Sequence, residues 1–95
     1  MKYTKINFEN MDYSDEQNQL FNILQDFGIK DQYMTNQLIG LISELRKGFN
    51  NKFVYFPSMT YTDEKIRNIK SRIEDFKSLP LEQRKFYNTI LGESV

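Results

Sequence analysis

The chain has 95 residues, neither cysteine nor histidine, and 13 basic side chains against 13 acidic ones. That length makes one domain, residues 1–95, near the small end of what buries a core unaided, and the charge balance removes the large electrostatic footprint of a dedicated nucleic-acid binder. The missing Cys and His exclude disulfides, thiolate or imidazole metal sites and the usual nucleophile–base pairs.

In chain order, the opening "MKYTKINFEN" lacks the continuous apolar core of a signal peptide, and no run approaches membrane-spanning length, so a cytoplasmic protein with no membrane partner is expected. Residues 3–8, "YTKINF", alternate so that Thr4, Ile6 and Phe8 share a face, which fits a short strand or, for residues 1–13 as a whole, an extended arm. In "SDEQNQLFNILQDFG", Ser14 and Gln17 form a capping-box pattern, Asp15 and Glu16 suit the positive end of the dipole, and Gly28 supplies the stop. Leu20, Leu24 and Phe27, widened by Phe21 and Ile23, then predict a first helix over about 15–27.

Asp31 caps a second predicted helix, about 32–47, whose Met34, Leu38, Leu41, Ile42 and Leu45 lie on one face. Arg46 and Lys47 suit its negative end, and Gly48 closes it. The short "IKD" linker predicts an antiparallel hairpin of these two helices. Gly40 costs the helix interior roughly 1 kcal/mol relative to Ala, for which a close helix–helix approach or simple drift are the two explanations.

After "NN", the β-branched and aromatic "KFVYFP" predicts a strand at about 52–56, closed by Pro57 at a strand end or edge. A third helix, about 63–77, begins at Thr62 with Asp63 and Glu64 in its first turn and Tyr61 and Ile66 as a hydrophobic staple. Ile66, Ile69, Ile73 and Phe76 form a narrow seam that suits one facing helix, including a second copy of itself. "SLPLEQRKFYNTILG" then predicts a fourth helix, about 80–91, with Leu81, Phe86 or Tyr87, Ile90 and Leu91 inward and Gly92 at its end. The expected fold is mainly α, four helices with one or two short strands.

The chemistry of sites narrows further. "NMDYSDE" has calcium-loop spacing at Asn10, Asp12 and Ser14, but Asp15 replaces the sharp-turn glycine and Phe21 the bidentate glutamate. Single glycines at 28, 40, 48 and 92 make no phosphate-cradling loop. Glu44, Glu74, Asp75 and Glu82 offer carboxylates, yet no pair among them is favoured. No enzyme, cofactor, metal or small-molecule substrate is expected.

Instead, five aromatic rings fall within "FNNKFVYFPSMTY", residues 49–61. Alternation puts Phe53 and Tyr55 on one face and Val54 and Phe56 on the other, so the strand is apolar on both sides. Aromatic surplus of this kind marks interface cores, and Phe53, Tyr55, Phe56 and Tyr61 are the residues expected at a protein partner or a homodimer. The chain is rich in Asn, Gln, Lys and Ile and poor in Ala, Gly and Pro, as in low-GC bacteria and their phages and plasmids. The first functional expectation is therefore a non-enzymatic regulator from a mobile element that inhibits or recruits a protein partner.

The order helix, helix with "LIGLISELRKGF", strand "KFVYFP" and helical "RNIKSRIEDF" resembles the Mor-type phage transcription activators over roughly residues 20–76. The resemblance implies a dimer built by the helices and the short strand, and DNA as the second expected partner. It covers the dimerisation half: "FKSLPLEQRKFY" lacks the family's glycine and asparagine after the phenylalanine, and only eight residues follow Tyr87. Charge is also asymmetric, five basic to seven acidic side chains over residues 1–48 and eight to six over 49–95, so phosphate contacts would come from Lys65, Arg67, Lys70, Arg72, Lys77, Arg84 and Lys85. Asp63–Arg67 and Lys70–Glu74, four residues apart, are expected to pair on the surface instead.

Overall fold

The computed structural model describes residues 2–9 and 11–91. Its elements run β1 (Tyr3–Asn7), α1 (Tyr13–Asp26), α2 (Gln32–Lys47), β2 (Phe53–Pro57), α3 (Asp63–Phe76) and α4 (Leu81–Arg84). The fold is mainly α, with the two strands paired antiparallel in one small sheet.

Helix α1 starts two residues earlier than Ser14 would place it. Asp12 is the cap: the Asp15 N–H donates to its Oδ1 at 2.8 Å, while Gln17 Nε2 reaches Ser43 Oγ on α2 at 3.5 Å. An aspartate cap also places negative charge beside the helix N-terminus. The helix ends in a Schellman motif. Gly28 has φ +80°, its N–H donates to the Gln25 carbonyl at 2.9 Å, and the Ile29 N–H donates to that of Leu24 at 3.1 Å. A side chain would strain that left-handed position.

Asp31 caps α2 as expected, accepting from the Met34 N–H at 2.8 Å. Gly48 follows α2 with an ordinary helical φ of −72°, and the left-handed residue is Asn50, φ 56°. A Cβ at 48 would meet the carboxylate end of Glu44, with Cδ at 2.9 Å, so that flexible side chain would have to shift to admit another residue. At Gly40, by contrast, a Cβ would meet nothing within 4 Å, so close helix packing within the chain is not its cause.

Thr62 caps α3, accepting from the Lys65 N–H at 3.2 Å, and the staple residues Tyr61 and Ile66 are both buried. The isoleucine seam of α3 packs on α2, and α2 packs on α1 and β2. The core forms between these layers from Ile6 and Phe8, Leu20 and Leu24, the Leu38–Leu45 stripe, Val54 and Phe56, and Ile66, Ile69 and Ile73. Each fully buried Leu, Ile or Phe contributes about 1.5–3 kcal/mol, so a 95-residue chain needs most of them to fold.

The fourth helix is a single turn, far shorter than the expected 80–91, and Gly92 lies outside the described residues. Leu81 and Phe86 are exposed, whereas Tyr87 stacks on Phe76 with centroids 4.2 Å apart and Ile90 is fully buried. Two tertiary interactions explain the early end. The Tyr55 N–H donates to the Asn88 carbonyl at 2.8 Å, drawing residues 88–89 alongside β2, and Asn51 Nδ2 donates to the Tyr87 carbonyl at 3.1 Å. Phe86 to Ile90 are all mediocre helix formers, so these bonds outweigh helix continuation.

Candidate interaction surface

The sheet register is Tyr3 to Pro57, Thr4 to Phe56, Lys5 to Tyr55, Ile6 to Val54 and Asn7 to Phe53. Residues opposite one another share a face, so Thr4, Ile6, Val54 and Phe56 form the inner face. Tyr3, Lys5, Asn7, Phe53 and Tyr55 share the outer one. On it Tyr3, Phe53 and Tyr55 are half-buried and Lys5 and Asn7 are exposed. The outer rings are organised: Tyr3 meets Tyr55 edge-on at 6.5 Å, and Lys5 Nζ sits 4.3 Å above the centre of Phe53.

Of the four residues expected at an interface, only Phe53 and Tyr55 lie here. Phe56 has no exposed surface; it packs edge-on against Phe27 at 4.9 Å and stacks on Tyr61 at 5.1 Å. Tyr61 is 7% exposed and donates its hydroxyl to the Pro57 carbonyl at 2.6 Å, and burial pushes that hydroxyl's pKa up. Phe56 is core because the strand's even positions face inward, where β2 packs on α2, and Tyr61 is core because its ring stacks on that of Phe56. The surface includes Tyr3, Lys5 and Asn7 of β1, which the strand reading missed. The alternation that grouped Thr4, Ile6 and Phe8 groups these three on the opposite face, so the signal was present.

The hydrogen-bond phase of the sheet matters as much as its faces. The Phe8 N–H donates to the Lys52 carbonyl at 2.9 Å and the Ser58 N–H to the Lys2 carbonyl at 2.8 Å. Those bonds identify the even-numbered residues of β1 as the ones bonded across to β2, so the N–H and C=O groups of Tyr3, Lys5 and Asn7 point away from it. On the far side of β2 the corresponding positions are 53, 55 and 57. There Asn88 covers Tyr55, and Pro57 has no N–H to satisfy.

The basic residues of the second half do not form one stripe. Lys77 bridges Glu74 at 3.0 Å and Glu44 at 3.3 Å, tying α3 to α2. Its pKa is raised, chiefly by the Glu74 hydrogen bond, with burial opposing and Glu44 adding to the rise. Arg84 Nη1 donates to the Gly48 carbonyl at 2.8 Å with its guanidinium near the Phe49 ring. Arg72 Nη1 donates to the Leu91 carbonyl at 2.6 Å, and Lys65 Nζ to that of Thr60 at 3.3 Å. Lys85 lies over the exposed ring of Phe86, and Arg67 and Lys70 are exposed. The expected Asp63–Arg67 and Lys70–Glu74 pairs are not among the ion pairs of the described residues; Glu74 is engaged by Lys77 instead.

Two shallow troughs run along the α2–α3 seam. One of about 210 Å³ is lined by Gly40, Leu41, Ile73 and the Glu44–Lys77–Glu74 cluster. The other, about 320 Å³, shares Gln37 and Lys70 with it and adds Tyr33, Met34 and Arg67. Among the described residues no group of three acidic side chains is placed to hold a metal ion, and no helix is long and apolar enough to cross a membrane. No protein family, curated protein or solved structure matches this chain.

Proposed function

We propose that this chain is a non-enzymatic regulatory protein of the cytoplasm that inhibits or recruits a protein partner, docking it on the outer face of the β1–β2 sheet. Support comes first from that face, where Tyr3, Phe53 and Tyr55 stay half-exposed although the fold is short of apolar side chains. Ordered, partly dry rings are the usual anchors of protein interfaces. The composition agrees with a mobile element of a low-GC bacterium as its source.

The alternative is a Mor-like dimeric DNA-binding regulator. It is favoured by Arg67 and Lys70, exposed one turn apart on α3, and disfavoured by the acceptors already held by Lys65, Arg72, Lys77 and Arg84. The experiment compares affinity capture from host lysate by the wild-type chain, Tyr55→Ser and Phe53→Ser, with melting curves to verify folding. A specific protein lost with both folded variants supports the proposal. Capture unchanged in both, together with a DNA shift that weakens steeply with salt, sinks it in favour of the alternative.

A further inference from the structure

The outer face adjoins an open edge. Among the described residues no backbone hydrogen bond reaches the outward N–H and C=O groups of Tyr3, Lys5 and Asn7. Such an edge is a template for one more strand, and proteins that must not aggregate blunt it with lysine. Lys5 sits at its centre. Within two residues of either strand the flanking charges are Lys2 and Lys52, which share its sign, and Glu9 beyond the end of β1, all exposed, and the strands themselves carry no carboxylate.

Charge selects among occupants. Pairing two copies of β1 about a two-fold axis with full overlap sets Lys5 opposite Lys5, and like charges directly opposite destabilise a strand pair. Registers that avoid this clash shorten a five-residue strand that is already brief. A strand bearing carboxylates meets the opposite situation, since one acidic side chain beside Lys5 and another near Lys2 convert the edge from guarded to complementary.

Resting on the interaction function proposed above, we infer that β1 takes an acidic, extended segment of the partner as an added strand, held by the outward backbone groups of Tyr3, Lys5 and Asn7 and by Lys5. Main-chain bonds hold the segment and its alternate side chains lie against Tyr3 and Lys5 on the outer face. About five or six residues of partner span the edge.

The test uses the full chain, isotope-labelled for amide NMR, titrated with a peptide about seven residues long that alternates glutamate with valine and threonine. Controls are the same peptide with lysine for glutamate, and the glutamate peptide N-methylated at alternate residues. The expected result is that the glutamate peptide shifts the Tyr3, Lys5 and Asn7 amides and slows their exchange with solvent. Binding should weaken roughly fivefold or more in Lys5→Glu, as in the lysine peptide, and vanish on N-methylation. Lys5→Pro should fold, because the lost N–H faces away from β2, and should not bind.

Equal binding of the lysine peptide, or binding that survives N-methylation, overturns the inference. So does self-association of the chain that is lost in Lys5→Pro, which would make a second copy the occupant. If the glutamate peptide leaves these amides unmoved while capture that depends on Tyr55 persists, the strand inference falls and the interaction function stands.

Discussion

Replacing Tyr61 by Phe removes one oxygen from the core, and the consequence depends on pH in a direction that can be worked out. At neutral pH the substitution deletes a 2.6 Å hydrogen bond and leaves the buried Pro57 carbonyl without its partner, a cost of about 1–3 kcal/mol. The ring itself still stacks on Phe56. Burial raises the native pKa of this hydroxyl above its ordinary value of 10.0. A raised native pKa means stability that is fully present below pH 10 and lost as pH climbs beyond it, because the unfolded chain ionises while the folded one holds its proton. One unit above 10.0, the unfolded wild-type chain gains about 1.4 kcal/mol from that ionisation, and the Phe variant gains nothing at this site. Denaturant unfolding followed by circular dichroism, at about pH 8 and about pH 11, should therefore show the gap between the two proteins narrowing by about 1.4 kcal/mol. Other tyrosines and lysines titrate alike in both and cancel. A gap of the same size at both pH values would refute a buried, proton-donating Tyr61.

Gly40→Ala should stabilise the protein by about 1 kcal/mol and raise its melting temperature by about 4–8 °C, since the added methyl meets nothing; a fall would mean the seam beside Gly40 is closed. Asp12→Ala should cost about 1 kcal/mol in denaturant unfolding and Ser14→Ala much less; the reverse order would return the cap of α1 to Ser14. At Asn50, Ala should cost about 1–2 kcal/mol and Gly far less, because the position holds φ 56°; equal losses would show that its side chain, not its backbone, matters.

Much of the fold was legible in the order of residues because the signals are local. Asp31 and Thr62 cap the helices they were expected to cap, and Gly28 ends α1 through the left-handed position it alone adopts cheaply. The period-two alternation of "YTKIN" and "FVYFP" placed Ile6 and Val54 on faces that the register then brought together. The errors have a common character. Choosing Ser14 over Asp12 was a competition between two adequate caps, settled by which carboxylate or hydroxyl the backbone meets. The end of α4 well short of residue 91 reflects a competitor that only the folded chain supplies, the amide of Tyr55, which takes the Asn88 carbonyl.

The candidate surface divides in the same way. Alternation along the chain determined that Phe53 and Tyr55 would share a face and that Val54 and Phe56 would take the other. Which face was core was decided in three dimensions, because burial depends on which side of the sheet α2 covers, and on that side the rings of Phe27, Phe56 and Tyr61 close together. The covered far side of β2 and the open side of β1 were likewise decided by tertiary structure. Backbone groups are identical at every residue, so no residue pattern records which of them the returning chain at Asn88 satisfies and which, at Tyr3, Lys5 and Asn7, no other described residue reaches.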